Sequence, residues 1–218
     1  MKKNKSKFRE YSEAIIVAVL LALFIRAFVV QAFKIPSGSM IPTLLVGDHI
    51  LVNKFIYGIR IPFTDKKVFS FKEPKRGDVI VFIYPLDPSK DFIKRVIGVE
   101  GDTVFMKGKT VYINGEPFDD PHARYVDDNP QKGAVSRKDF GPITVPQDSL
   151  FVMGDNRDRS YDGRYWNEFV VLDQVRGKAF VIYWSNGTPH KRASWNVPMK
   201  LFDAIFHNRW DRMGDIIH

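Results

Sequence analysis

A mainly β domain carried behind a single N-terminal transmembrane helix is what this sequence predicts, and three observations predict it. A long apolar run follows a cationic leader, short apolar or alternating runs broken by Gly, Pro, Asp and Asn fill the remainder, and helical periodicity after the first run is weak. At 218 residues the chain is long enough to bury a real core. The net charge of +8 admits anionic lipid, nucleic acid or an acidic protein. Its basic residues are spread out, however, and no recognition helix or zinc-finger spacing appears, which favours a lipid bilayer over nucleic acid. The absence of cysteine excludes disulfides, thiolate metal sites and a cysteine nucleophile.

Residues 1–13 carry five basic residues, and AIIVAVLLALFIRAFVVQAF (14–33) follows with only Arg26 and Gln31 polar. Twenty helical residues rise about 30 Å, the hydrocarbon thickness of a bilayer, and the cationic leader favours an N-inside orientation. Val30-Gln31-Ala32 also resembles a signal-peptide cleavage site, but the run is longer than an ordinary h-region, so a retained anchor is expected. Arg26 is expected to snorkel toward the outer face. Strands are expected at 49–56, 78–84, 91–99, 103–107, 110–115, 149–154 and 178–184, separated by turn signals such as Lys75-Arg76-Gly77-Asp78, Glu100-Gly101-Asp102 and Asn114-Gly115. The polar stretch 116–142 reads as a long surface excursion. In the tail, Leu201, Ile205 and Phe206 could share a helical face with Trp210, packed on the domain or lying at the membrane surface.

Three stretches could carry chemistry. In FKIPSGSMIPTL (33–44), a glycine between Ser37 and Ser39 permits close backbone approach, and Pro36 and Pro42 restrict the segment. Those are the needs of a nucleophile turn, although an ordinary loop has the same letters and the two serines are not separated by this reading. In DFIKRVIGV (91–99), alternation puts Phe92, Lys94, Val96 and Gly98 on one face and Ile93, Arg95, Ile97 and Val99 on the other. A lysine held among such neighbours loses solvation, its pKa falls and the neutral amine can act as a general base; the plainer alternative is a lysine snorkelling at a strand edge. His49 is the rival base, should the site use a serine–histidine arrangement. The third stretch, GDNRDRSYDGR (154–164), interleaves arginines with aspartates and reads as a charge-braced loop. Its arginines argue against an acidic metal site, so no metal is expected.

Taken together, IPSGSMIPTL, GDHILVNKFIYG, KRGDVIVF, DFIKRVIGVEGD and GDNRDRSYDGR followed by YW resemble, in order and directly after a membrane segment, the bacterial type I signal peptidases. The resemblance implies a membrane-bound serine endopeptidase with a Ser/Lys dyad, and a β-rich extracytoplasmic catalytic domain of signal-peptidase type. It assigns Ser39 as nucleophile and Lys94 as general base, with Ser37 and the Ser39 backbone N–H as the oxyanion hole. Ser160 matches the serine that orients the lysine, Asp155, Asp162 and Arg164 match bracing residues, and Ile35, Met40, Leu44, Phe92 and Ile93 match substrate-pocket positions. Gly163 departs from the family's usual serine, and Arg159 from a commoner small polar residue.

The implied organisation is a cytoplasmic leader over 1–13, an anchor over 14–33 and a catalytic domain over 34–218 with a short variable β excursion about 101–148. The implied place is the bacterial inner membrane, single-pass, with the N-terminus cytoplasmic and the catalytic domain on the outer, periplasmic face. The implied partners are secretory preproteins and the lipid bilayer, not nucleic acid, and no cofactor is implied. Two rivals stand beside this reading: a specialised Ser/Lys peptidase serving one conjugation or pilus substrate, and a membrane-anchored β scaffold that binds peptides without cutting them.

Overall fold

The computed structural model describes residues 7–60, 67–68, 71–126, 139–187 and 208–218. Helix α1 (Lys7–Phe24) continues as a π-helical turn over Ile25–Val29, giving 23 residues long and apolar enough to cross a membrane, with no buried residue among them. Helix and apolar run do not coincide. The last residues of the run leave the helix and form β1 (Val30–Lys34), which pairs antiparallel with β2 (Asp48–Asn53) from Val30↔Asn53 to Lys34↔His49. β-branched Val30 and aromatic Phe33 suit a pleated surface as well as they suit lipid, so hydropathy alone did not mark the boundary. Lys54 ties the junction down: its N–H donates to Val29 O at 2.9 Å and its Nζ to Ala27 O at 2.7 Å.

Beyond the apolar helix the chain is β-rich, and all seven expected strands form. A two-residue pair, β3 (Ile59–Arg60) with β4 (Lys67–Val68), stands apart. Then come β5 (Val79–Ile83), β6 (Asp91–Gly98), β7 (Thr103–Lys107), β8 (Thr110–Ile113), β9 (Glu116–Phe118), β10 (Asp139–Thr144) and β11 (Ser149–Met153). A short helix α2 (Gly163–Trp166) follows, and β12 (Val170–Val171) and the long β13 (Val175–Ser185) complete the set. The main sheet has seven strands in the order β1-β2-β13-β5-β6-β11-β12, and a second sheet has four in the order β10-β7-β8-β9. In the second sheet, Asn114 (φ 53°) and Gly115 (φ 87°) take the left-handed conformations that a tight hairpin turn requires, joining β8 to β9.

Residues 116–142 were expected to be a long surface excursion, within a β excursion about 101–148. Its two ends, β9 and the start of β10, join the second sheet, where Phe118 and Phe140 pack against the apolar cluster of Val104, Met106, Val111 and Ile113. Residues 127–138, within the same stretch, lie outside the described residues. Of the expected tail helix, Leu201, Ile205 and Phe206 also lie outside them, while Trp210 sits in a short 3-10 turn edge-on to Trp184 at 5.5 Å. The end of the chain returns to the main sheet, where Ile217 joins the buried cluster of Ile35, Met40, Leu44, Ile50 and Ile182.

Candidate active site

The connection between β1 and β2 is anchored at its neck, where Ile35 N–H donates to Asp48 O at 2.8 Å and Gly47 N–H to Ile35 O at 2.9 Å. Met40 and Leu44, one helical turn apart and joined by Leu44 N–H to Met40 O at 2.9 Å, drive their side chains wholly into the core. That inward pull leaves the neighbouring Ser39 directed to the other side, 8 % exposed, against β6. Lys94 on β6 donates from Nζ to Ser39 Oγ at 2.9 Å and to Ile93 O at 2.9 Å, with the Phe92 ring centroid 5.4 Å away. Burial without a bonded carboxylate lowers the Lys94 pKa to about 8, against the opposing pull of Asp162 and Asp155. The snorkelling alternative therefore does not describe this lysine, which is 4 % exposed.

Arg95 takes the opposite face of β6 and grips Asp155 bidentately, Nε to Oδ1 at 2.8 Å and Nη2 to Oδ2 at 2.7 Å. Its Nη1 donates to Gly77 O at 2.7 Å and to His218 O at 2.6 Å, and Asp155 accepts a further bond from Thr43 Oγ1 at 2.5 Å. The β1–β2 connection, β6, the charged loop and the chain's end thus meet at one buried pair. Within the loop, Arg164 grips Asp162 (2.8 Å at both oxygens) and Asp162 accepts the Gly154 N–H at 2.9 Å. Arg157 pairs with Asp120 and Asp158 accepts the Val126 N–H, so the excursion is braced onto this loop. Burying these charges is tolerable because Asp155 and Asp162 each accept several hydrogen bonds.

A cavity of about 470 Å³ opens over these residues, lined by Ser37, Gly38, Ser39, Ile41, Phe92, Lys94, Asn156, Arg159 and Tyr161. One of similar size, about 480 Å³ beside Tyr57, Lys72 and Asp173, holds no serine, and we attach no chemistry to it. Ser37 lies exposed at the rim beside Ser39. Ser160 is fully buried, and its Oγ has no partner among the described residues, so the bond to Lys94 implied by the resemblance is not present here. It does lie close to Ser39: a Cβ on Gly154 would meet Ser160 Oγ at 2.2 Å and Ser39 O at 2.5 Å, so only glycine fits between them. Of the expected pocket residues, Phe92 lines the cavity. Ile35, Met40 and Leu44 are enclosed in the core and Ile93 packs against the same cluster, because holding the loop down consumes their surfaces. Ile41, Asn156, Arg159 and Tyr161 were not foreseen as lining, and no local pattern sets them apart. His49 stands elsewhere, between Lys34 and Trp184 in the sheet with Nε2 3.4 Å from Asn186 Nδ2. Burial and the Lys34 charge lower its pKa, and Asp48 partly opposes them. Among the described residues, no group of three or more His, Cys, Asp or Glu could hold a metal.

The signal peptidase family, peptidase S26, matches residues 8–184. The chain belongs to that family. It is 41 % identical over 205 residues to signal peptidase I of Pseudomonas aeruginosa, covering 81 % of this chain and 72 % of that protein. It is 38 % identical over 183 residues to signal peptidase I P of Bacillus subtilis subsp. natto, covering 83 % and 91 %. A solved signal peptidase I from Enterococcus faecalis is 32 % identical, covering 49 % of this chain and 97 % of that one, with a TM-score of 0.39. As a member of the signal peptidase family this chain is a serine peptidase, and its N-terminal apolar helix accords with a membrane-anchored enzyme.

Proposed function

We propose that this protein cleaves N-terminal signal peptides from exported preproteins after small residues, with Ser39 as nucleophile and Lys94 as general base. The observation that carries the proposal is the 2.9 Å contact between Lys94 Nζ and Ser39 Oγ inside an open cavity. When Lys94 is neutral it accepts the Ser39 proton as Oγ attacks the scissile carbonyl, and the resulting ammonium protonates the leaving amine. The oxyanion is held by the Ser39 N–H and the Ser37 hydroxyl, and water activated by the same lysine releases the acyl-enzyme. Asp155, Asp162 and Arg164 brace the charged loop, which keeps Ser160 against the dyad.

Substrate would lie extended along β6. β11 pairs with β6 only as far as Met153↔Arg95, so Asp91–Lys94 present an edge that β11 does not use, beside the cavity. The apolar helix at 7–29 is the membrane anchor in this reading, with the N-terminus inside and the catalytic domain outside. Because a preprotein is tethered by its own apolar segment, its scissile bond is presented near the surface where Ser39 follows the anchor. The relatives' names favour a general signal peptidase over a peptidase for one pilus substrate.

The test is incubation of detergent-purified protein with a labelled preprotein, locating the new N-terminus by mass spectrometry. Cleavage after Ala or Gly by wild type, and none by Ser39→Ala, is expected. Cleavage after Phe or Trp, or wild-type turnover by Ser39→Ala, overturns the reading.

A further inference from the structure

We propose that Asn156 is a positioning residue that aims the oxyanion donor by fixing the plane of the Gly38–Ser39 peptide, an inference that rests on Ser39 being the nucleophile. Asn156 holds the nucleophile segment twice. Its backbone N–H donates to Ser39 O at 3.1 Å, and its side-chain Nδ2 donates to Gly38 O at 3.2 Å. Chemistry decides the orientation of the amide, since the flipped form would set Oδ1 against a carbonyl oxygen, acceptor against acceptor. The residue is only 4 % exposed, and its Oδ1 has no partner among the described residues. Asn156 therefore stays buried at the cavity with only its donor end satisfied.

Peptide geometry supplies the consequence. The Gly38–Ser39 bond is not among the cis peptides, and in a planar trans unit the C=O and the following N–H point in opposite directions. Drawing Gly38 O toward Asn156 therefore points the Ser39 N–H away from Asn156 within the same plane, where no described atom accepts it. An unpaired N–H beside the attacking Oγ can meet a tetrahedral oxyanion only if its plane does not rock. Among the described residues the other bond to Gly38 O comes from Ile41 N–H at 3.3 Å, long and within the same loop. Gly38 itself supplies little restraint, having no Cβ, and a Cβ there would stand 2.9 Å from Ile41 Cδ1. Lys94 donates to Ser39 and Ile93 and not to Asn156, so loss of the Asn156 amide should disturb the oxyanion and leave the base's titration in place.

The experiment compares full-length wild type, Asn156→Ala, Asn156→Asp and Ser39→Ala in detergent on one signal-peptide-derived substrate, each well below its own Tm. Asn156→Asp keeps the shape and replaces the donor with an acceptor, so it decides the matter if alanine perturbs folding. Misaiming one oxyanion donor should lower kcat about 10–100-fold in both variants, with KM within about threefold. The alkaline-going limb of the pH profile should not move in Asn156→Ala, whereas the new carboxylate of Asn156→Asp, lining the same cavity as Lys94, should move it upward. Affinity for a peptide boronic acid, whose serine adduct is tetrahedral and anionic, should fall by the same factor as kcat. Wild-type kcat in Asn156→Asp, a loss confined to KM, a limb shifted in Asn156→Ala or unchanged boronate affinity would each overturn the proposal. If Ser39→Ala is inert while the Asn156 variants turn over normally, only this inference fails. If Ser39→Ala turns over normally, the nucleophile assignment itself fails.

Discussion

The pKa of Lys94 can be turned into a rate profile. At about 8, against 10.5 for an unburied lysine, about one enzyme in ten has a neutral amine at pH 7, compared with roughly one in three thousand without the shift. The neutral fraction climbs from about one in a hundred at pH 6 to about nine in ten at pH 9, so kcat/KM on a short peptide should rise nearly 100-fold and level off. Lys94→Arg should be inert throughout, because a guanidinium keeps its proton there. The same shift has a stability side. The folded value lies below the unfolded one, so the unfolded chain binds the proton more tightly and the lysine destabilises the fold. That penalty is complete below about pH 8 and fades as pH rises toward 10.5. Its ceiling is about 3 kcal/mol, and lost hydrogen bonds to Ser39 and Ile93 offset part of it. Lys94→Met should therefore be inactive yet melt higher than wild type at pH 7, with the gap closing by pH 10. A wild-type limb near 5, substantial turnover by Lys94→Arg, or a Tm gap that widens with pH would refute the reasoning.

Three further outcomes are expected. His49→Ala should retain most of its activity per folded molecule, since its ring partner is Asn186 and not Ser39; a loss as deep as that of Lys94→Ala in kcat would reinstate a histidine base. Gly163→Ser, which restores the residue more usual in the resembling family, should lower Tm, because its Cβ would stand 2.8 Å from Phe151 Cε2 and 2.9 Å from Val152 O; overpacking of this kind costs about 1–3 kcal/mol, and an unchanged melting curve would refute the contact. Arg95→Met should destabilise by about 3–5 kcal/mol in urea titration by leaving Asp155 buried and uncompensated, with partial recovery in Arg95→Met/Asp155→Asn; equal stability of all three proteins would show that the pair braces nothing.

Local pattern in the sequence determined a great deal about this protein: the apolar N-terminal segment, seven strands, the Asn114-Gly115 turn, and the placing of Lys94 and Arg95 on opposite faces of one strand. Each depends on neighbours within a few residues, where periodicity and turn chemistry act directly. The five ordered motifs likewise pointed to a family whose match now spans residues 8–184. What lies across from each face was decided only by the tertiary structure. Ser37 and Ser39 are equivalent by letter, and burial of Met40 and Leu44 turns Ser39 toward a lysine 55 residues away. Ile35, Met40 and Leu44 were matched to pocket positions by the resemblance alone, and in the structure closing the loop onto the core encloses their side chains. Val30–Phe33 read as lipid-facing until strand pairing with β2 claimed them. Asn156 gave no local signal at all, since its place depends on two carbonyls more than a hundred residues earlier in the chain. Contacts at such separations are selected by the packing of the whole sheet, and a sequence window carries no record of which distant surface will arrive.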